Sequence, residues 1–145
     1  MPMPITEERL DEYLDEVSED VRFWQDSHCL LFLARWVAVV RPDFALEPLL
    51  GRVSGPVSAY RFLQREGGVD AYVSSEAARA GLALTTAAAA RLGAIGLVRV
   101  PRAKGGDLTF GCIRTASRWS IRTREGLVEL DASRIRVQPH LVWDV

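Results

Sequence analysis

Cysteine and histidine are the residues of this sequence that could carry out nucleophilic chemistry, and Cys29 is the best placed of them. The 145 residues contain two cysteines and two histidines. Cys29 opens a strongly apolar segment predicted to be a helix, where the free N–H groups of the first turn and the helix dipole would stabilise a thiolate. Such a thiolate needs an imidazole base supplied from elsewhere in the fold. The alternative is a structural role, because cysteine is a small and often buried residue.

The second cysteine and the two histidines carry weaker signals. His28 precedes Cys29, but neighbours on a helix point about 100° apart, so His28 is expected to be a surface or capping residue. His140 follows Pro139, with no ligand or base beside it, yet any thiolate–imidazolium pair would have to use one of these two histidines. Cys112 lies in a β-type run and is expected in the core. The spacing matches no zinc signature and no glycine-rich phosphate loop is present, so neither metal nor cofactor is predicted.

Four arginines near one another in the sequence could form a basic stripe on one sheet face: Arg114, Arg118, Arg122 and Arg124. With Trp119 nearby, such a stripe could bind nucleic acid. Trp119 alternates with these arginines, however, and is expected to point to the opposite face. The sequence therefore favours a solvated face or the rim of a protein–protein interface over a nucleic-acid site.

The charge is unevenly distributed along the chain. Residues 1–50 carry 11 acidic and 4 basic side chains, whereas residues 51–145 carry 8 and 14. This indicates either an acidic solvated helix followed by a basic surface, or a dipolar molecule that docks onto charged neighbours. The acidic first 20 residues are unlike a secretory signal. The longest apolar run, Cys29 to Val40, is shorter than the roughly 20 residues that a membrane span needs. We expect a protein without a membrane span, made in a reducing cytoplasm.

Local signals predict helices in the first part of the chain. Thr6 is expected to cap an acidic amphipathic helix, and Asp26 or Ser27 a second helix that ends before Pro42. The second helix is apolar on nearly every side, which is typical of a central helix. The further predicted segments are a helix from Pro56 to Gly67, a helix from Val69 to Ala80, and one more turn from Ala87 to Arg91.

Strand-like runs follow after Gly93. In 118–123, Trp119 and Ile121 alternate with polar residues, which predicts a half-buried strand. The predicted strands are 95–100, 108–114, 118–123 and 127–130, with 135–137 and 141–143 as candidates for a terminal strand. We therefore predict a single α+β domain over 1–145, with an acidic helix (1–20), a helical part (21–92) and a sheet (93–145). N-terminal helices would surround the central buried helix, which packs on an antiparallel β-meander.

Several segments resemble a small phage and prophage family that is similar in turn to NlpC-type papain-like cell-wall peptidases. The most specific match is Trp24-x-x-x-x-Cys29 followed by an apolar helix with a tryptophan, Trp36. The run Leu-Thr-Phe-Gly-Cys-Ile, 108–113, resembles the strand that reads His-Val-Gly-Ile in active peptidases. The resemblance extends over roughly residues 20–145, through 90–98, 126–128 and Trp143.

The resemblance implies a papain-like fold with degenerate peptidase chemistry. Cys29 matches the nucleophile, but Thr109 stands where the catalytic histidine is expected, and threonine cannot replace an imidazole base. His28 replaces the aspartate or serine that usually precedes the nucleophile. The implied role is a structural component of a phage tail tip or baseplate, in the virion, which binds hub, distal tail or fibre proteins. The alternative is an active peptidase or amidase that cleaves peptidoglycan, with Cys29 as nucleophile and His140 or His28 as base. Nucleic-acid binding is a third and weaker hypothesis.

Overall fold

In the described part of the chain, all helices precede all strands, so the predicted α+β class is confirmed. A computed structural model describes residues 2–19, 28–46, 53–131 and 138–145, with the backbone alone at Cys29. The helices in these ranges are α1 (Glu7–Ser18), α2 (Cys29–Val40), α3 (Pro56–Arg65) and α4 (Val69–Arg79). The strands are β1 (Ala83–Thr85), β2 (Ile95–Val100), β3 (Leu108–Arg114), β4 (Arg118–Thr123), β5 (Gly126–Asp131) and β6 (Leu141–Asp144).

Local signals mark the start of the first helix and both ends of the third. The Thr6 side chain accepts a hydrogen bond from the backbone N–H of Arg9 at 3.1 Å, as the capping prediction required. Pro56 occupies the first turn of α3, where its missing N–H costs nothing. The chain leaves α3 through Gly67, whose φ of +85° favours glycine.

The second helix has the buried, central character predicted from its composition. Its most buried side chains, Phe32 and Trp36, are both 0% exposed. The predicted caps Asp26 and Ser27 were wrong, because the N-cap is His28 and the helix begins at Cys29. Asp26 and Ser27 themselves lie outside the described residues. Of the helices that the structure describes, none has the length and apolar character needed to cross a membrane.

The strands form one antiparallel sheet in the order β1-β6-β2-β3-β4-β5. Strands β2 to β5 make the predicted meander, and β6 returns to the far side of β2. Strand β1 was not predicted, and it occupies the edge beside β6. The turn predicted at 87–91 is a non-helical turn at 87–89, and the candidate strand 135–137 lies outside the described residues.

Both faces of the sheet are buried along much of the central strands β2, β3 and β4. One face carries Ile95, Leu97 and Ile113, which belong to the same core cluster as α1 and α2. The other face carries a second cluster made of Ala94, Val98, Cys112, Trp119, Ile121 and Val142. The prediction of a half-buried β4 was therefore wrong, since α2 covers the face that carries Ser120 while Trp119 is buried on the other.

Candidate functional site

The amino end of α2 brings together the two residues that the sequence singled out first. Cys29 is the first residue of the helix, as predicted, and its side chain lies outside the described part of the structure. His28 is the N-cap, and its Nδ1 accepts a hydrogen bond from the backbone N–H of Leu31 at 3.4 Å. The position of Cys29 at a helix start is therefore established, whereas its thiol contacts are not described.

His28 is a capping residue, as one of the two predicted alternatives required, but it is buried at 2% exposure. This burial lowers the pKa of its imidazole from 6.5 to about 4. The ring is therefore neutral near pH 7, with its lone pair on Nδ1 directed to the Leu31 N–H and its proton on Nε2. A ring in this state has no free lone pair with which to accept a proton from Cys29.

Thr109 lies on the sheet face that the helices cover. It is half-buried in β3, and its Cα partner across the ladder is Arg99 of β2. Directly opposed residues of an antiparallel pair share a face, and the pairs on this face include Ile95 with Ile113. Thr109, which stands where the resemblance expects the catalytic histidine, thus lies on the helix side of the sheet and next to Arg99.

Arg99 belongs to a polar cluster with Asp70 and His140, which we call the Asp70 cluster. The Nη2 of Arg99 lies 2.7 Å from Oδ2 of Asp70, a residue of the first turn of α4. The Nε2 of His140 lies 3.0 Å from Oδ1 of the same carboxylate and 3.3 Å from Arg99 Nη2. The backbone N–H of His140 donates to Leu97 at 2.9 Å, which places the histidine beside β2. Asp70 therefore ties α4 to β2 and to the residue before β6.

His140 was a candidate from its residue type alone, whereas Asp70 and Arg99 were not predicted from the sequence. Only the pairing of β2 with β6 and the packing of α4 bring the three side chains together. An aspartate in the first turn of a helix is explained locally by its favourable interaction with the helix dipole. That local role does not predict a contact with a distant histidine or arginine.

The Asp70 cluster and Cys29 lie toward the same end of the sheet. The helices α2 and α4 meet at their carboxyl ends, where Arg41 donates to the carbonyl of Ala80 at 3.0 Å. They flank a shared apolar cavity of about 40 Å³, lined by residues from Leu30 on α2 to Tyr72 on α4. Their amino ends therefore point in the same direction. Consistently, the α2 residue Trp36 binds Gly93 just before β2, while Asp70 binds Arg99 near the other end of that strand.

The structure does not bring the four arginines onto one exposed face. Arg122 is 2% exposed on the helix side of β4, and its guanidinium donates to the carbonyl of Thr123 at 2.9 Å. Arg118 is exposed on that same side of the strand and pairs with Glu129 of β5 at 3.1 Å. A buried Arg122 cannot contribute to an interface rim, contrary to the predicted stripe.

Arg114 belongs to the opposite face from Arg118 and Arg122. It pairs across the ladder with Trp119, and its guanidinium carbon lies 5.9 Å from the centre of the Trp119 ring. The expectation that the tryptophan faces away from the arginines therefore fails for Arg114. Arg124 is exposed in the turn between β4 and β5. The basic residues are consequently distributed over two faces and a turn.

Cys112 is a core residue, as predicted. It is 0% exposed in the second cluster, and burial raises the pKa of its thiol. A thiol in this state is unreactive. Within the described ranges, no group of three or more histidine, cysteine, aspartate or glutamate side chains is arranged to hold a metal ion.

A family model described as a domain of unknown function, DUF6950, matches residues 1–141. The chain belongs to the DUF6950 family. The match takes in α1 to α4 and β1 to β5, and it ends at the first residue of β6. It therefore includes both the start of α2 and the Asp70 cluster of this DUF6950 domain. No curated protein and no solved structure matches the chain.

Proposed function

We propose that this DUF6950 domain is a structural component of a phage or phage-derived tail tip or baseplate, on a papain-like peptidase fold that has lost its catalytic base. The observation that carries the proposal is the position of Thr109. It lies on the helix-covered face of the sheet, where the resemblance expects a histidine. A threonine hydroxyl cannot accept a thiol proton near neutral pH.

Two described residues next to Thr109 or Cys29, Arg99 and His28, do not supply a substitute base. Arg99, opposite Thr109, has a guanidinium side chain, which donates hydrogen bonds and offers no acceptor to serve as a base. Its guanidinium is held by Asp70 at 2.7 Å. His28, the imidazole nearest to Cys29 in the sequence, already uses its Nδ1 lone pair to cap α2. These contacts support a structural role for Arg99 and His28 rather than a catalytic one.

The described surface suits a protein that docks onto neighbours in an assembly. The outer side of α3 exposes Val57 and Tyr60 at 64% and 66%, and β1 exposes Leu84 at 68%. Val57 and Tyr60 lie three residues apart and so form one apolar patch on α3, and such patches are found at binding surfaces. The exposed side of α1 is acidic, with the following residues: Glu7, Glu8, Asp11, Glu12, Asp15, Glu16 and Glu19. We propose hub, distal tail or fibre proteins as the partners.

The test uses the phage or prophage that encodes the chain. Mass spectrometry of purified particles should detect the chain, and its deletion should give particles with an incomplete tail tip. Complementation with Cys29→Ser should restore infectivity to the wild-type level, as should the matched variant Cys112→Ala. The proposal is wrong if the particles lack the chain, or if Cys29→Ser assembles complete tails that do not infect.

A second candidate function is supported by the contact between His140 and Asp70. An imidazole held by a carboxylate is the arrangement of a general base, and this one lies toward the end of the sheet where α2 begins. In this alternative, Cys29 is the nucleophile of a peptidase or amidase that cleaves peptidoglycan. Asp70 also binds Arg99, however, so its charge is shared between two partners.

The two functions differ in one biochemical assay. The alternative requires that the purified protein release soluble fragments from peptidoglycan, and that Cys29→Ala and His140→Asn each reduce the rate at least 100-fold. Cys112→Ala controls for the loss of a thiol that is buried in the second core cluster. We expect no release by the wild-type protein. Release that depends on both Cys29 and His140 would replace the structural proposal.

A further inference from the structure

Two cavities adjoin near the carboxyl ends of α2 and α4. The first is the apolar cavity of about 40 Å³ between these helices, and the second is a polar cavity of about 210 Å³. Phe44, Arg79 and Ala80 line both of them, so the two cavities share a wall. The polar cavity is lined in addition by Arg41 and Asp43. An apolar space and two residues of opposite charge are thus within reach of one small molecule.

Arg41 has hydrogen-bonding capacity that the described residues do not use. Its Nη1 donates to the carbonyl of Ala80 at 3.0 Å, which places the guanidinium at the end of α4. Its Nε is buried, no described residue accepts a hydrogen bond from it, and no described carboxylate forms an ion pair with this arginine. The helix dipole explains an arginine at a carboxyl end but leaves the buried donor unsatisfied. A donor in this state is unfavourable and calls for an acceptor.

The other charged groups of the polar cavity differ in whether they have partners. The Nε of Arg79 donates to Oε2 of Glu76 at 2.8 Å, and the Arg79 guanidinium carbon lies 4.9 Å from the centre of the Phe44 ring. These contacts hold Arg79 in the wall between the cavities. Asp43 is exposed and has no cationic partner among the described residues. The polar cavity therefore presents one guanidinium and one carboxylate that are not paired with each other.

We propose that the two cavities form a binding site for a small aliphatic amino acid, either free or at the carboxyl end of a peptide. Its carboxylate accepts from the donors of Arg41 that the Ala80 bond leaves unused. Its N–H group donates to Asp43. Its side chain enters the apolar cavity, whose volume is about three times what one water needs and suits a side chain of roughly three or four carbons. The site binds without a chemical step and is independent of the proposed function.

The first measurement is calorimetric titration of the whole chain at pH 7 with four compounds. L-leucine represents the free amino acid and N-acetyl-L-leucine the end of a peptide, whereas 4-methylpentanoate lacks the nitrogen and glycine lacks the side chain. We expect saturable binding of one or both leucine compounds, and binding of 4-methylpentanoate and glycine that is about 10-fold weaker or less. The leucine compound that binds more tightly identifies the source of the ligand. No saturable binding, or equal binding of glycine or 4-methylpentanoate, would overturn the proposal.

Three variants assign the contacts. Arg41→Met removes the guanidinium and keeps an apolar stem, and it should weaken binding by about 10-fold or more. The matched control is Arg124→Met, in the exposed turn between β4 and β5, which should bind like the wild type. Asp43→Ala should remove the preference for a leucine compound over 4-methylpentanoate. The proposal is wrong if Arg41→Met binds as tightly as Arg124→Met, or if Asp43→Ala retains the preference.

The second measurement does not depend on a variant that folds. In ¹⁵N-labelled wild-type protein, the Nε–H resonance of Arg41 and the backbone amide resonances of Phe44 and Ala80 should move as the tighter leucine compound is added. The indole N–H resonance of Trp119, which belongs to the second core cluster, should stay in place. The proposal fails if the three resonances do not respond, as when the cavities bind water alone, or if Trp119 responds as strongly as they do.

Discussion

The indole Nε1 of Trp36 donates a hydrogen bond of 2.8 Å to the carbonyl of Gly93, which joins the central helix to the start of the sheet. Both groups are buried. The backbone N–H of Gly93 donates in turn to the carbonyl of Arg114 at the end of β3. One side chain thereby fixes where α2 lies relative to β2 and β3, and so where Cys29 lies relative to Thr109.

Replacement of Trp36 should strongly destabilise the fold. Trp36→Ala should lower the free energy of unfolding by about 3–5 kcal/mol, because it removes a fully buried ring and leaves a cavity. Trp36→Phe keeps most of the apolar surface but leaves the Gly93 carbonyl without its donor, which should cost about 1–3 kcal/mol. Chemical denaturation measures both, and a loss of less than about 0.5 kcal/mol in Trp36→Phe would contradict the role given to the hydrogen bond.

Gly93 should tolerate no side chain. Its φ is +82°, and an added Cβ would lie 2.8 Å from Cγ2 of Ile5 and 3.2 Å from Cζ2 of Trp36. Gly93→Ala should therefore cost about 3 kcal/mol, from backbone strain and overpacking together. Gly67 has a similar φ of +85°, but its added Cβ would meet Ala71 at an ordinary 3.6 Å. Gly67→Ala should cost about 1 kcal/mol, and the difference between the two variants measures the overpacking.

Stability should decrease as the pH is lowered through the range in which His28 protonates in the unfolded chain. The folded pKa is about 4 and the ordinary value is 6.5, so between these values the unfolded state binds a proton that the folded state does not. The free energy of unfolding should therefore fall by up to about 3 kcal/mol from pH 6.5 to pH 4, and this contribution should level off below pH 4.

Denaturation at a series of pH values, compared between wild type and His28→Ser, isolates this contribution. His28→Ser should lose the corresponding part of the pH dependence, whereas His140→Ser should keep it. If wild type and His28→Ser show parallel curves between pH 6.5 and pH 4, His28 is not buried as a neutral ring.

Arg122 should matter for stability and Arg124 should not. The buried guanidinium of Arg122 donates to the Thr123 carbonyl, so Arg122→Ala should cost about 2 kcal/mol through a lost hydrogen bond and a cavity. Arg124 is exposed, and Arg124→Ala should change the free energy of unfolding by less than about 0.5 kcal/mol. If both variants change the free energy of unfolding by similarly small amounts, the Arg122 side chain is exposed and not buried.

The Asp70 cluster should contribute modestly to the attachment of α4. The Asp70 and Arg99 side chains are 35% and 47% exposed, so solvent screens their attraction. We expect Asp70→Asn to cost about 1 kcal/mol at low salt and less at high salt. A double-mutant cycle with Arg99→Met measures the pair directly, and a coupling energy that is independent of salt would argue against an ion pair.

Local signals sufficed for the presence of the four helices, for several of their ends and for most of the sheet, although the cap predicted for α2 was wrong. Thr6, Pro56 and Gly67 mark helix ends through capping and backbone preferences that act within a few residues. The runs predicted for β2, β3 and β4 have the same bounds in the structure. Strand β1 was not predicted, because its three residues, with an exposed Leu84, are too few to show a periodic pattern. Only the pairing with β6 makes them a strand.

Less of the candidate site could be predicted than of the fold. The position of Cys29 at a helix start followed from the apolar run that it opens. The burial of His28 and Arg122 could not be predicted from the sequence. Both are polar residues, and packing between distant segments covers them. The Asp70 cluster depends on three separate elements, and no local pattern connects its members.

The place of β6 between β1 and β2 determines the order in which the sheet can be completed. Residues 83–85 are hydrogen-bonded to β6, which follows β2, β3, β4 and β5 in the chain. On a ribosome, β1 would emerge early and remain without its neighbour until the whole meander had been synthesised. Because contacts between distant segments close slowly, the docking of β6 and β1 would be a late step of folding, after the meander has formed.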